Sequence, residues 1–341
     1  MEENTLTCSC CGERITPEEN YGNDSIPLCE DCRDDHYNSC ERCGRLIHDN
    51  DAYYEDEDHD DGPYCYECHQ RNQRESLGGI HDYYYKPDPI FYGDGPRFFG
   101  VELEIDDGGE SDRNADRVME AGNIKGIEHI YCKHDGSLED GFEIVSHPMS
   151  LDYHMNVMPW CKVIAKAKEL GYTSHQAGTC GLHVHVSRDA FGDTERAQDA
   201  VIARILYFFE KHWEELLKFS RRTQRQLDQW AARYGYKTEP QEILDDAKHK
   251  NNRGRYTSVN LTNTDTVEFR MFRGTLNLNS FLATLQLIDR ICDVALFLSD
   301  SEIKDLPWST FVSGCTAPEL VQYLKERRLY VNEPVESEVE V

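Results

Sequence analysis

Residues 97–106 have the sequence RFFGVELEID, and residues 181–187 have the sequence GLHVHVS. In both stretches apolar residues alternate with charged or polar ones, a period of two that predicts β-strands with one buried and one polar face. The polar faces of the two strands carry Glu102, Glu104, His183, His185 and Ser187. We therefore expect a sheet that presents carboxylates and imidazoles on one side.

Two further strands repeat this pattern. In TVEFRMFR (266–273) Glu268 and Arg270 share one face, and in FEIVSHP (142–148) Glu143 lies eight residues after Asp135. A single strand with a solvated face often alternates in this way, but four strands that combine these residue types indicate a site. Carboxylates with an imidazole suit Mg²⁺ or Mn²⁺, and an arginine among them suits a phosphate that bridges such ions.

The remaining sequence places these strands in one larger domain. Apolar residues at helical spacing predict a helix over 151–170 and a long helix over about 194–219. Composition shifts and the Pro- and Gly-rich stretch before residue 97 suggest four segments. They are a Cys-rich module (1–72), a linker (73–96), a globular domain (97–330) and an acidic disordered tail (331–341).

The charge and the apolar content of the chain argue against two classes of function, nucleic-acid binding and membrane association. The chain has 341 residues with 36 Lys and Arg against 64 Asp and Glu, a net charge of −28. This charge disfavours binding to nucleic acid or to anionic membranes. No apolar stretch approaches the roughly 20 residues that a membrane helix needs, and the acidic start does not resemble a secretory signal. We expect a cytoplasmic protein with no membrane contact.

Nine of the 14 cysteines lie in the first 70 residues, and eight of them form C-x-x-C pairs. The pairs are Cys8/Cys11, Cys29/Cys32, Cys40/Cys43 and Cys65/Cys68. The intervals of 17 and 21 residues within the two halves are typical of structural Zn²⁺ sites, where four thiolates surround one ion. The sequence therefore predicts two structural Zn²⁺ ions in a zinc-ribbon or treble-clef-like module.

The pairing and role of this module have alternatives. Sequential Cys₄ sites are the preferred reading, but cross-braced pairing is also compatible with the spacing. Cys10 is a spare thiol, and His36, His48, His59 or His69 could replace a thiolate. Bound zinc would stabilise the fold of a segment whose hydrophobic core is too small to do so alone. The module could also recruit a protein or peptide.

In this order, FGVELE, DGSLEDGFEIVSHP, TCGLHVHVS and VEFRMFRGTLN resemble the amidoligases. That family belongs to the carboxylate–amine ligases related to glutamine synthetase and γ-glutamylcysteine synthetase, and the resemblance covers roughly residues 97–300. It implies an α+β fold in which a curved antiparallel sheet, backed by helices, holds ATP and divalent ions on its charged face.

The resemblance also implies roles for individual residues. The metal ligands of the family correspond to Glu102, Glu104, Asp135, Glu143, His183 and Glu268. Ser187 corresponds to a serine on the nucleotide side, Arg270 to a phosphate-binding arginine, and His185 to a ligand or a neighbour of one. Arg255 and Arg273 are further candidates for phosphate binding, although alternation puts Arg273 on the opposite face unless a bulge intervenes.

The implied activity is ATP-dependent ligation of a carboxylate to an amine through an acyl phosphate, giving an amide or isopeptide bond. The substrates would be a carboxylic acid and an amine, and a peptide or protein could supply either of them. One alternative is a ligase-like adaptor without activity that binds a partner through its zinc module. A metal-dependent hydrolase using His183 and His185 is another, but no H-E-x-x-H motif supports it.

Overall fold

A computed structural model describes residues 5–54, 63–69, 79–249 and 253–330. The chain divides into two compact units, Met1–Gly78 (unit 1) and Gly79–Val341 (unit 2). The predicted tail, 331–341, and residues 73–78 of the predicted linker lie outside the described residues. Within the described ranges, no helix has both the length and the apolar character needed to cross a membrane.

Unit 1 is built from short hairpins around cysteines. Its elements include β1 (Leu6–Thr7), β2 (Arg14–Ile15), α1 (Glu30–His36), β3 (Tyr37–Ser39) and β4 (Leu46–His48). β1 pairs with β2 and β3 with β4, both antiparallel. Each connecting turn holds a C-x-x-C pair followed by glycine, and Gly12 and Gly44 have φ of 79° and 70°. Glycine adopts this left-handed conformation without steric cost, which lets the turn close tightly.

Unit 2 contains a seven-stranded sheet with the order β10–β11–β9–β6–β8–β7–β5. The strands are β5 (Ile80–His81), β6 (Phe99–Ile105), β7 (Ile130–Lys133), β8 (Phe142–Ser146), β9 (Gly181–Ser187), β10 (Val259–Asn260) and β11 (Thr266–Arg273). The four strands predicted to carry the charged residues are therefore adjacent: β11, β9, β6 and β8.

The sheet is mixed, which corrects the antiparallel prediction. Five neighbouring pairs are antiparallel, but β5 runs parallel to β7, with Ile80 opposite Cys132. β5 comes from the stretch 73–96, which was expected to be a linker. Its residues from 79 onward belong to unit 2, because Ile80, Tyr85 and Tyr92 pack against the hydrophobic core. Residues 79–96 are therefore a packed segment of unit 2, in which the hydrogen bond from Tyr85 N to Asp82 O closes a turn.

Helices cover the sheet. They are α2 (Asp112–Gly122), α3 (Leu151–Asn156), α4 (Trp160–Glu169), α5 (Glu195–Lys211), α6 (Trp213–Ser220), α7 (Gln224–Trp230), α8 (Pro240–His249), α9 (Leu278–Phe297), α10 (Asp300–Asp305), α11 (Trp308–Ser313) and α12 (Pro318–Glu326). The single helix predicted over 151–170 is two helices separated before Trp160 by Pro159, since proline cannot donate the helical hydrogen bond. The helix predicted over 194–219 is likewise divided, at His212, where ψ is 31°.

The core lies on the apolar face of the sheet. Val101, Leu103 and Val184 are fully buried there, as strand alternation predicts. Phe209 of α5 meets Phe269 of β11 with ring centroids 5.6 Å apart. Because successive side chains of a strand point to opposite faces, this packing directs the charged residues of the same strands to the other face.

Candidate active site

Strand register brings the predicted carboxylates and histidines together. Glu102 of β6 lies opposite His183 of β9, and Glu104 lies opposite Glu143 of β8. On the other side of β9, His185 lies opposite Glu268 of β11. Directly opposed residues have neighbouring Cβ atoms, so the sheet itself assembles the cluster.

His183 stands between two groups of carboxylates. Its Nδ1 lies 3.3 Å from Glu102 Oε2 and 3.9 Å from Glu268 Oε1, whereas its Nε2 lies 3.7 Å from Glu104 Oε1. Possible ligand atoms form two groups: one from Glu102, His183 and Glu268, and the other from Glu104, Glu143 and His183. Within each group, the ligand atoms all lie within 4.8 Å of one another. One imidazole is thus shared by two places where a cation could bind.

The electrostatics of these groups fit a divalent cation. Burial raises the pKa of Glu143 well above its usual value, and the nearby Glu102 and Glu104 carboxylates raise it further. Burial acts in the same direction on Glu102, but His185 and His183 outweigh it and hold the pKa of that carboxyl well below its usual range. Closely spaced buried carboxylates repel one another unless a cation lies between them. Carboxylate oxygens are the donors that Mg²⁺ and Mn²⁺ prefer.

Glu268 is fixed on both of its oxygens. Arg270 donates from Nη1 to Oε1, while Asn260 and Asn263 donate to Oε2 over 2.7 Å and 3.2 Å. The Nε of Arg270 is buried, and within the described part of the chain it has no hydrogen-bond partner. The Glu-x-Arg pair therefore presents an oriented carboxylate together with a guanidinium that has donor capacity left.

His185 occupies the second place on the polar face of β9. Its Nε2 lies 3.1 Å from Glu102 Oε1, and its Nδ1 lies 3.2 Å from Thr266 Oγ1. Burial lowers the pKa of His185, but Glu102 and Glu268 outweigh burial and raise it above the usual value. When protonated, His185 would supply part of the positive charge that the neighbouring carboxylates require.

The structure contains the bulge that Arg273 needs. Phe269 pairs with Val184 but Phe272 pairs with Leu182, so β11 uses one more residue than β9 over this interval. The extra residue reverses the alternation. Arg273 is consequently opposite Gly181, a position that shares its face with His183.

Three predicted site residues are not members of the two carboxylate groups, although the charge of Asp135 contributes to the raised pKa of Glu143. Asp135 follows β7 and accepts a hydrogen bond from Ser137 N at 2.7 Å, which closes a turn. Ser187 ends β9, two residues beyond His185. Arg255 is exposed: it donates to the Tyr83 hydroxyl and its guanidinium lies 5.5 Å from the centre of that ring.

Residues 125–292 match the family model described as "Putative amidoligase enzyme". This segment is similar to the amidoligases. The matched segment includes Glu143, His183, Glu268 and Arg270, whereas Glu102 precedes it.

Among solved structures, the chain is similar to a bifunctional glutathione synthetase from Pasteurella multocida, with 14% identity and a TM-score of 0.37. The similarity covers 68% of this chain but 46% of that one, so the chain spans less than half of the length of that protein. A TM-score of this size does not establish a shared fold. No curated protein matches the chain.

Some residues beside the two carboxylate groups were not identified from the sequence. Lys133 places its Nζ 4.0 Å from Glu143 Oε2. Alternation of side chains within β7 (IYCK), which precedes β8 (FEIVS) in the sequence, could have indicated that Lys133 lies on the charged face. Asn260 and Asn263, which hold Glu268, precede β11, the strand that carries the Glu-x-Arg pair, by a few residues. Arg222 reaches the cluster from the loop after α6, and no periodic signal marks it because it belongs to no strand.

Proposed function

We propose that this protein is an ATP-dependent carboxylate–amine ligase that forms an amide or isopeptide bond through an acyl phosphate. The observation that carries the proposal is the position of His183 between two carboxylate groups, beside the Glu268–Arg270 pair. The amidoligase match over residues 125–292 supports the same class of reaction.

The proposed reaction has two steps. The substrate carboxylate attacks the γ-phosphorus of ATP, the bond to the bridging oxygen breaks, and ADP leaves. The amine then attacks the carbonyl carbon of the acyl phosphate, loses a proton and displaces inorganic phosphate. Both steps move negative charge among phosphate oxygens, so stabilisation of that charge is the main contribution expected of the protein.

The residues of the sheet would divide this work. The two carboxylate groups on either side of His183 would hold Mg²⁺ or Mn²⁺, which would neutralise charge on the phosphates when bound. Asn260 and Asn263 keep Glu268 oriented. Arg270 would direct its unused donor towards a phosphate oxygen, and Ser187 would lie on the nucleotide side.

Unit 1 would recruit the substrate, a protein or a peptide. Residues 1–72 hold 20 Asp and Glu against 5 Lys and Arg, so a protein or peptide with basic residues would be attracted to them. Two zinc ions would keep the module folded. We propose that it increases the local concentration of a macromolecular substrate and takes no part in the chemistry.

Calorimetric titration of the zinc-loaded full chain with ATP, with and without Mg²⁺, tests the proposed site. Wild type is expected to bind ATP only when Mg²⁺ is present. Glu268→Gln keeps the shape of the side chain but removes its charge, and should abolish this binding. Glu214→Gln alters an exposed glutamate of α6 and should bind ATP like wild type.

The reaction itself is tested with hydroxylamine in place of the unknown amine. With Mg²⁺·ATP and a panel of carboxylic acids, a ligase should release phosphate and form a hydroxamate from its acid. Hydrolysis of an amide without nucleotide would instead favour a hydrolase. A folded, zinc-loaded protein that binds no ATP at millimolar concentration would favour the inactive adaptor.

A further inference from the structure

Arg188 directly follows β9 and extends its side chain to the hairpin loop, which we define as residues 261–266, from the end of β10 to the first residue of β11. Its Nη2 donates to Leu261 O over 2.9 Å. Its Nε donates to Asn263 O over 3.2 Å and to Thr266 O over 3.3 Å. Three backbone carbonyls of one loop therefore converge on one guanidinium.

The backbone of Arg188 is tied to the same loop, because its N–H donates to Asp265 O over 2.9 Å. Backbone carbonyls that are shielded from water need hydrogen-bond partners. The planar, fixed arrangement of guanidinium donors can satisfy several carbonyls at once and hold them at set positions. We therefore expect Arg188 to determine the shape of the hairpin loop.

The hairpin loop in turn holds Glu268. The side-chain amides of Asn260 and Asn263 both donate to Glu268 Oε2. Asn260 is buried, and its Oδ1 accepts from Thr262 N over 3.0 Å. Only one orientation of this amide serves both contacts, since the oxygen must face the loop and the nitrogen must face the carboxylate. The conformation of the loop thus decides where the Glu268 carboxylate points.

The hairpin loop also contacts His185. Thr266 offers its carbonyl to Arg188, and its hydroxyl lies 3.2 Å from His185 Nδ1. The other ring nitrogen, Nε2, lies 3.1 Å from Glu102 Oε1. The hydrogen bonds of Arg188 reach the loop, and those of the loop reach two groups of the charged face, Glu268 and His185.

We propose that Arg188 is a positioning residue that holds the hairpin loop in the conformation that orients Glu268 and His185. That these two groups serve a bound Mg²⁺ or Mn²⁺ rests on the proposed function. Mg²⁺ demands a nearly ideal arrangement of its oxygen ligands, and hydrogen bonds around a ligand fix its direction. Loss of the guanidinium should therefore release the loop and misplace both side chains, with β9 and β11 still paired.

Hydrogen exchange in the zinc-loaded full chain without Mg²⁺ tests the support of Glu268 directly. NMR signals of the side-chain amides of Asn260 and Asn263, assigned with the variants Asn260→Asp and Asn263→Asp, report on their hydrogen bonds. In Arg188→Gln these protons should exchange with solvent at least tenfold faster than in wild type, while the backbone amides of β11 keep their wild-type rates. Arg196→Gln, at an exposed arginine of α5, is the matched control and should exchange like wild type.

This measurement separates positioning from general stabilisation. A purely structural role of Arg188 would loosen the backbone of β11 and the asparagine side chains together, and that result would overturn the proposal. Equal side-chain exchange in wild type and Arg188→Gln would also overturn it. If Arg188→Gln does not fold, as judged by circular dichroism and zinc content, Arg188→Lys takes its place and equal exchange in that variant overturns the proposal.

Binding of Mn²⁺, followed by the electron paramagnetic resonance signal of the free ion, tests the consequence for a cation. Removal of a positive charge would by itself strengthen cation binding, so a loss of affinity reports on geometry. Arg188→Gln should bind Mn²⁺ about tenfold more weakly or worse. Arg188→Lys keeps the charge without the planar donors and should bind with intermediate affinity.

A double variant tests whether Arg188 acts through the hairpin loop. If it does, adding Asn263→Ala to Arg188→Gln should cause no further loss of Mn²⁺ affinity, because the loop is already released. Losses that add in the double variant would show that the two residues act independently, and would overturn the proposal.

The two measurements also separate this inference from the proposed function. A wild-type protein that binds no Mn²⁺, but whose asparagine amides exchange faster in Arg188→Gln, would refute the cation site and retain the positioning of Glu268. A wild-type protein that binds Mn²⁺ with the same affinity as Arg188→Gln would retain the cation site and refute the positioning role.

Discussion

Unit 1 and unit 2 bury different kinds of residue. The two small clusters of unit 1 consist mostly of cysteines: Cys8, Cys29 and Cys32 with Ile15 and Leu28 in one, and Cys40, Cys65 and Cys68 with Ile47 in the other. Unit 2 instead buries a large set of aliphatic and aromatic side chains between its sheet and its helices. This difference is the one expected if metal bound by the cysteine groups stabilises the first unit and apolar burial stabilises the second.

Two thiols of the cysteine groups, Cys8 and Cys40, differ from ordinary buried thiols in having lowered pKa values, whereas neighbouring thiols and burial raise the pKa values of Cys32 and Cys68. Burial raises the pKa of Cys8, but backbone N–H groups, led by that of Cys11, outweigh it and lower this pKa to about 6. Cys132, buried in the core of unit 2 without such donors, has a pKa well above its usual value. A lowered pKa favours the thiolate, which is the form that binds zinc.

The largest expected effect is therefore loss of a zinc ligand. Cys32→Ser should release one of the two zinc ions and unfold its part of unit 1, because structural zinc contributes on the order of 10 kcal/mol. Cys10→Ser is the control, since Cys10 is exposed and outside both groups. Zinc content and limited proteolysis measure the result, and a Cys32→Ser protein that retains both ions would contradict the assignment of Cys32 as a zinc ligand.

A cavity in the core of unit 2 should have the next largest effect. Phe269→Ala removes a fully buried ring, and we expect a loss of about 3–5 kcal/mol in the free energy of unfolding. Denaturant titration measures it, and zinc content should not change. Phe297→Ala, at a side chain that is 77% exposed, should have little effect; equal losses in the two variants would show that unit 2 does not depend on its core.

Acid should destabilise unit 2 through His154. Its Nε2 lies 2.9 Å from Phe99 O and its Nδ1 accepts from Trp160 Nε1, and burial lowers its pKa to about 4. The folded state thus binds this proton more weakly than the unfolded chain, whose pKa is about 6.5. Stability is lost as the pH falls from about 6.5 to 4, by up to about 3 kcal/mol.

Unfolding free energies at pH 7 and pH 4.5 measure this effect. His154→Gln should reduce the difference between the two pH values. His249→Gln, at an exposed position of α8, should preserve the wild-type difference. An unchanged pH dependence in His154→Gln would assign the acid sensitivity to other groups.

The smallest expected effect is the gain in folding stability when one buried carboxylate of the charged face is removed. Because the pKa of Glu143 is raised in the folded state, ionisation of this carboxyl opposes folding as the pH rises above its unfolded value. Glu143→Gln should therefore stabilise the magnesium-free protein at pH 7. The same variant should bind Mg²⁺·ATP more weakly, and Glu139→Gln, at an exposed position in the loop between β7 and β8, should change neither property.

Thermal unfolding with and without Mg²⁺ measures the stability difference. A destabilised Glu143→Gln protein in the absence of Mg²⁺ would mean that the carboxylate is already compensated within the protein. The two units would then also differ in their need for a cation. Unit 2 would be stable without one, because its own residues would compensate the charge of its carboxylates.

Strand alternation accounts for most of the site that could be predicted. It placed Glu102, Glu104, His183 and Glu268 on one face correctly, because the period of two depends only on local backbone geometry. The α+β class and the grouping of the cysteines by sequential pairs also agree with the structure. The curvature of the sheet and its likeness to glutamine synthetase stay predictions.

The rest depended on tertiary contacts. Asp106 continues the charged alternation of Glu104, yet it accepts hydrogen bonds from Asp140 N, Glu139 N and Thr179 Oγ1 and so anchors a turn. Arg222 is brought to the cluster by a left-handed residue after a helix. Neither a strand bulge nor the packing of residues 79–96 leaves a periodic signal in the sequence.

Both outer strands of the seven-stranded sheet, β5 and β10, are two residues long. A longer open edge would offer a ladder of backbone groups to another extended chain, and short edge strands deny it. The sheet is thereby protected against edge-to-edge aggregation. A peptide substrate would have almost no backbone ladder to extend at either edge, so it would have to be recognised by its side chains over the face of the sheet.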